Sequence, residues 1–279
     1  MTEDRRQETG VRSQKNRSQR TGHKEQARID KRILQLIVFF VLTSVLCFLM
    51  PVFFHSAEAS AADKKRFVYN IYWAGIKGGT AVFEYETAPE DIIVRTHATS
   101  AEFISLFYKV DDFAQSTLYP DGYPKSFILK VREGRHKRNK VTYFDKKAEG
   151  GPQKVLYQDI LDDEKKEFYL DKQAYDPLSA FWAMTKMPLV IGSSKYFDIF
   201  DTKKLYHTEV QVLRKEKVLV QSREFNTILI KPIMQSEGIF RRTGDIFIWV
   251  TDDDRKIPVL MKSKALIGTF TVELTEGDF

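Results

Sequence analysis

Few side chains in this 279-residue chain have the type and spacing to do chemistry. His207 lies beside Tyr206 and two positions before Glu209, so an imidazole and a carboxylate could serve as a base and its orienting partner. On a strand, however, residues two apart share a face and are ordinarily only neighbours, and no nucleophile accompanies this pair. Asp252, Asp253 and Asp254, in "TDDDRKIPV", are weak candidates for a divalent cation, because hard cations want clustered carboxylates. The spaced ligands and terminal Glu of a calcium loop are missing, and Asp residues beside Arg255 are the chemistry of a hairpin turn. The run "EGRHKRNK", Glu133 to Lys140, could meet lipid phosphates, or be the solvated end of a hairpin. It holds no aromatic residue, which argues against single-stranded nucleic acid. The chain carries no HExxH, G-x-S-x-G, P-loop or paired-cysteine signature. No catalytic residue is therefore assigned, no cofactor is expected, and a non-enzymatic role is favoured over an enzymatic one.

The elements that would position these residues are mostly strands. In "FVYNIYWAGIKGGTAVFEYE" the residues Tyr69, Ile71 and Trp73 alternate with Val68, Asn70 and Tyr72, glycines follow at 75, 78 and 79, and a second strand runs from Thr80 to Tyr85. That is a β-hairpin pattern. Further strands are predicted over Ile92 to Thr99, Phe113 to Tyr119, Lys125 to Arg132, Lys140 to Asp145, Lys154 to Asp159 and Lys166 to Leu170. The series continues over Lys195 to Phe200, Leu205 to Leu213, Lys217 to Gln221, Glu224 to Pro232, Gly244 to Val250, Lys256 to Ser263 and Gly268 to Leu274. One segment breaks the rhythm. "DPLSAFWAMTKMP" offers Asp176 as N-cap, Pro177 at the first helical position and Pro188 as a stop, with apolar residues on most of its circumference. A helix of that kind must be buried. The expected fold is all-β and mainly antiparallel: a strongly curved sheet or incomplete β-barrel with one buried helix, preceded by an N-terminal membrane helix.

The front of the chain supplies that last element. From Ile33 to Phe54 there is no charged residue, and as a helix this stretch would reach about 33 Å, enough to cross a hydrocarbon layer. Ten Lys and Arg against five acidic residues precede it, so the positive-inside rule leaves residues 1–32 as a basic, disordered cytoplasmic tail. Residues 33–54 are then either an uncleaved inner-membrane anchor or the h-region of a signal peptide. The linker 55–66 contains A-x-A patterns at Ala57–Ala59 and Ala59–Ala61 that fit cleavage. Residues 67–279 form the exported β domain, expected in the periplasm. Its charge is nearly balanced, since ten of the 44 basic and six of the 38 acidic residues lie in the first 61 positions. Nucleic acid is not an expected partner. The one cysteine is Cys47, so no disulfide holds the exported part.

Several landmarks, in order, give the chain a family resemblance: "YWAGIKGGTA" near the start, "FYKVDD" at Phe107 to Asp112, "DPLSAFWAM" in the helix, and "IWVTDDDRKIPVLMKSKALIGTFTVEL" in the tail. Over roughly Phe67 to Glu276 it resembles the bacterial envelope family named for domain of unknown function 3108 (DUF3108). The resemblance implies an exported, mostly β domain of no established activity. Trp73, Phe107, Tyr108, Trp182 and Trp249 all lie in those landmarks. Together they could line an apolar pocket with Asp111 as a polar anchor, although aromatics at such positions are also ordinary core. The function expected from these readings is a non-enzymatic periplasmic binding or assembly module of the cell envelope, holding a lipid-like ligand or an envelope protein. An envelope hydrolase and a structural protein-interaction domain are the alternatives.

Overall fold

The computed structural model describes residues 63–147, 149–234, 245–265 and 268–278. Among them are the strands β1 (Asp63–Trp73), β2 (Ile76–Thr87), β3 (Ile92–Ser100), β4 (Asp111–Leu118), β5 (Pro124–Glu133), β6 (His136–Phe144) and β7 (Gln153–Asp159). They continue as β8 (Glu164–Leu170), β9 (Ser194–Asp201), β10 (Lys204–Val220), β11 (Arg223–Met234), β12 (Ile246–Thr251), β13 (Pro258–Ala265) and β14 (Gly268–Gly277). Two helices interrupt them, α1 (Glu102–Ser105) and α2 (Pro177–Thr185).

The strands make one antiparallel sheet in the order β8-β7-β6-β5-β4-β3-β2-β1-β14-β13-β12-β11-β10-β9. The first and last strands pair at its middle, and the edge strands β8 and β9 are joined by the segment that carries α2. Those edges share no ladder, but the rings of Phe168 and Phe200 lie 5.0 Å apart, and Lys203, in the turn after β9, pairs with Glu164 on β8. The sheet is thus barrel-like without being closed. Period-two alternation fills its inner face, with Phe67, Phe83, Val94, Ala114, Leu129 and Val155 all buried.

Because successive strands reverse, the turns fall at two ends. The helix end holds α2. Asp176 caps it with Oδ1, accepting from the backbone N–H groups of Leu178 (2.8 Å) and Ser179 (3.1 Å), and the Ser179 hydroxyl accepts in return from the Asp176 N–H. Trp182 packs edge-on against Tyr85 at 5.1 Å, and Phe181 against Phe83 at 5.9 Å. The predicted single buried helix is therefore present, with its cap as read.

Some details differ from the sequence pattern. The two strands expected over Leu205 to Gln221 are one, β10, because the charged run at Arg214 is absorbed by a register shift between Val212 and Arg214 and by the Arg214–Glu216 pair. The far part of the β10–β11 hairpin lies over the outer face of the sheet, where Gln221 donates to Glu273 at 2.6 Å. β1 begins at Asp63, inside the stretch read as linker 55–66. Among the described residues no helix is long and apolar enough to cross a membrane. The basic tail, the apolar segment 33–54 with Cys47, and the A-x-A patterns lie outside the described residues.

Candidate functional site

The other end of the sheet, the loop end, is built differently. β4 carries Asp112, Ala114, Ser116 and Leu118 on its buried face, and β5 carries Phe127, Leu129, Val131 and Glu133 on the same side. Phe113 pairs with Lys130, and the isolated bridge Val110↔Glu133 extends that register. Asp112 and Glu133 are thereby diagonal neighbours on one inner face. Their exposures are 0% and 1%. Asp112 Oδ1 accepts from the Arg132 N–H at 2.6 Å, while Asp112 Oδ2 and both Glu133 carboxyl oxygens have no hydrogen-bond partner. A buried acceptor without a donor is costly, and an unpaired buried carboxylate more so.

The protonation state responds. Burial pushes the Asp112 carboxyl up to about 7, aided by Asp111 and opposed by the Arg132 N–H and by Arg138. Burial pushes Glu133 up to about 8, with the Asp112 charge adding to it and Arg138 opposing. Near neutral pH the pair holds at least one proton between its two members, so it titrates as a unit.

The loop 101–110 borders this pair. Gly134 donates its N–H to the Lys109 carbonyl at 2.7 Å, and the Tyr108 ring lies where a Cβ on Gly134 would come within 3.0 Å. With φ at +56°, Gly134 is also in the left-handed region, so both its backbone and its lack of a side chain are required. Burial, then the charges of Glu133 and Asp112, push the Tyr108 hydroxyl up to about 12. Beyond β5, the inner face of β6 presents His136, Arg138 and Lys140. Arg138 Nε donates to His136 Nε2 at 2.7 Å, which requires a neutral imidazole, and burial followed by Arg138 and Lys140 lowers the His136 pKa accordingly. Lys140 stands 3.8 Å from Asp159, itself an acceptor from the Tyr157 hydroxyl at 3.3 Å. The basic run Glu133 to Lys140 is therefore not a uniformly solvated hairpin end, since its alternate residues turn inward.

The aromatic candidates do not come together in one pocket. Trp73, 44% exposed, stacks on Phe270 at the loop end, and Phe107 is 88% exposed on the loop. Tyr108 adjoins the acid pair, but Asp111 faces outward and binds His97 Nε2 at 2.5 Å. Trp182 belongs to the helix end. Trp249 is on the outer face of β12, where its Nε1 donates to Glu216 at 2.7 Å under the β10–β11 hairpin. Asp252, Asp253 and Asp254 occupy a turn. Asp252 pairs with Lys215 at 2.6 Å, and Asp253 accepts from Thr251 and Arg255. Among the described residues no group of three His, Cys, Asp or Glu side chains is placed to hold a metal.

A separate cleft of about 260 Å³ opens on the outer face, lined by Lys172, Tyr196, Phe197, Asp198, His207 and Thr208. His207 Nδ1 pairs there with Asp198, its cross-strand neighbour, which also meets Lys172 at 3.5 Å. Glu209, the sequence partner, instead accepts from Ser194 at 2.6 Å.

Asp111 is the polar anchor expected from the sequence, and Asp112 and Glu133 are not singled out there. The signal was available: Asp112 is in phase with Ala114 and Leu118, and Glu133 with Phe127, Leu129 and Val131, so each is a charge on an apolar stripe.

Residues 68–275 match the family described as "Protein of unknown function (DUF3108)". No curated protein matches the sequence. Among solved structures, the chain is similar to the β-barrel-like protein of domain of unknown function DUF1849 from Brucella abortus, with TM-score 0.52 and 13% identity over 77% of this chain and 97% of that one. That likeness supports the barrel-like fold alone. A Bacteroides fragilis protein with a YmcC-like fold aligns over 77% of this chain and 95% of its own at 9% identity and a TM-score of 0.30, too low to carry an argument.

Proposed function

Because the chain belongs to the DUF3108 family, whose description assigns no activity, we propose its function from the geometry. It is a non-enzymatic binding module of the bacterial envelope, facing the periplasm, that takes a lipid-like ligand at the loop end of its sheet. The observation that carries this reading is an exposed apolar rim directly beside a buried, unpaired acid pair. Phe103, Leu106 and Phe107 are 51%, 80% and 88% exposed on the loop that borders Asp112 and Glu133, and Ile76, 60% exposed, projects from the neighbouring hairpin. Apolar side chains turned to solvent on one short loop favour an apolar partner. Polar groups held beneath them favour a ligand with a polar end. The basic tail and the apolar segment 33–54 support the envelope address.

The test is native mass spectrometry and lipid extraction on the full chain, purified from membranes in mild detergent. The expected result is a co-purifying lipid-like species that is lost from a Leu106→Ser/Phe107→Ser variant with unchanged melting temperature. A protein that carries no such species, whatever the detergent, contradicts the reading.

The hydrolase alternative has one observation in its favour, the His207–Asp198 pair in its open cleft. A carboxylate on Nδ1 leaves Nε2 to act as a base toward water. Turnover of soluble aryl esters that disappears in His207→Ala would favour it, and equal rates for the two proteins would set it aside.

A further inference from the structure

Three acceptor atoms at the loop end lack donors: Asp112 Oδ2, Glu133 Oε1 and Glu133 Oε2. They belong to side chains no more than 1% exposed, on one face of adjacent strands. With the pair ionised, a primary ammonium matches this set, being small and cationic with three N–H donors and no acceptor. A quaternary ammonium has none. Cationic and apolar side chains share the loop end with the pair. Lys109 on the loop and Arg135 on the β5–β6 hairpin are exposed, and the hydrogen bond from Gly134 to the Lys109 carbonyl ties their two segments together at this end, while Arg138 on the inner face of β6 opposes the charge of the pair. On the same loop as Lys109, Leu106 and Phe107 face solvent.

We propose that Asp112 and Glu133 receive the primary ammonium of an ethanolamine-type phospholipid, with Lys109 and Arg135 on its phosphate and Leu106 and Phe107 against its acyl chains. The inference rests on the reading of the protein as a lipid-binding module and names the headgroup. Entry requires the Tyr108 side chain to turn away from Gly134, after which the ammonium replaces the proton that the pair otherwise retains. The gain comes from charge-assisted hydrogen bonds to oxygens that folding has already buried, so the cost of burying them is not incurred again on binding.

The experiment is native mass spectrometry of the full chain in detergent, offered equimolar phosphatidylethanolamine, phosphatidylcholine and phosphatidylglycerol with identical acyl chains. The expected result is an occupancy ratio of about ten or more for ethanolamine over choline, since tenfold corresponds to about 1.4 kcal/mol and charged hydrogen bonds are each worth that or more. The isosteric Asp112→Asn/Glu133→Gln variant should bring the ratio to about one, and it should fold, because it removes buried charge rather than packing. If it does not fold, the headgroup ratio of the unmodified protein still decides. Equal occupancy by ethanolamine and choline lipids would overturn the headgroup assignment while leaving the lipid-binding reading intact. Failure to bind any of the three lipids would overturn both. Soluble phosphoethanolamine binding as tightly as the lipid would overturn the acyl-chain contact and with it the lipid assignment.

Discussion

The two ends of the sheet each bury a carboxyl, and they treat it in opposite ways. At the helix end Asp176 is fully buried, yet Oδ1 takes two backbone N–H groups and Oδ2 takes the Ser116 hydroxyl at 2.6 Å. Burial raises its pKa to about 6 against these bonds. At the loop end Asp112 and Glu133 are equally buried, yet only Asp112 Oδ1 has a donor, the Arg132 N–H, and the other three oxygens are unpaired. The first arrangement is what a structural acid requires: a connected network that fixes the start of α2 and pins it to β4. The second lowers stability for no structural return, which is the mark of a group kept for something outside the fold. Burial alone therefore does not distinguish function from architecture; satisfaction does.

The comparison can be broken first at the helix end. Trp182→Ala should cost about 3–5 kcal/mol, because it removes the ring packed on Tyr85 and leaves a cavity under the helix; urea unfolding would show it. Asp176→Ala should cost about 2 kcal/mol, at the upper end of cap losses, since the Ser116 hydroxyl is orphaned along with two helix N–H groups. A loss below about 0.5 kcal/mol in either case would mean that α2 is not what closes this end.

At the loop end the sign reverses. Asp112 and Glu133 have folded-state values raised to about 7 and about 8, so the folded chain holds protons that the unfolded chain releases. Their contribution is fully present below the ordinary carboxylate range near pH 4 and is lost as pH rises through 7 to 8, by at most about 1.4 kcal/mol per pH unit for each group. Asp112→Asn/Glu133→Gln should thus match the unmodified protein near pH 4 and be more stable than it at pH 8, with a flatter pH profile by thermal unfolding. The smallest effect is expected at the rim, where Phe107→Ser should change stability by less than about 0.5 kcal/mol, because an 88% exposed ring packs on little.

Much of the helix end was legible in the sequence. Asp-Pro before an apolar run and Pro188 after it mark a capped helix locally, and the apolar circumference requires burial. The hairpin at Ala74–Gly75 was legible for the same reason, its turn residues being adjacent in the chain. The loop end depended on register. Asp112 and Glu133 are 21 positions apart, and only the β4–β5 pairing brings them to one face. The alternation that places each on an apolar stripe is visible in the sequence, but a charge there runs against the expectation that strands bury apolar residues, which favours the neighbouring Asp111 as the outward polar position. The aromatics depend on the global fold as well. Trp73, Trp182 and Trp249 are all packing residues in a barrel-like sheet, but at opposite ends or on opposite faces. Arg214 to Lys217 reads as a turn by composition, and cross-strand pairing with β11 turned it into a bulged continuation of β10.

The most direct test of the account is a carbon-13 NMR titration of the side-chain carboxyls in the full chain in detergent, alone and with short-chain phosphatidylethanolamine added. The account predicts that the Asp112–Glu133 pair titrates near pH 7–8 without ligand and at clearly lower pH with it, while Asp176 stays where it was. A pair that titrates in the ordinary carboxylate range, or one that the lipid leaves unmoved, would contradict it.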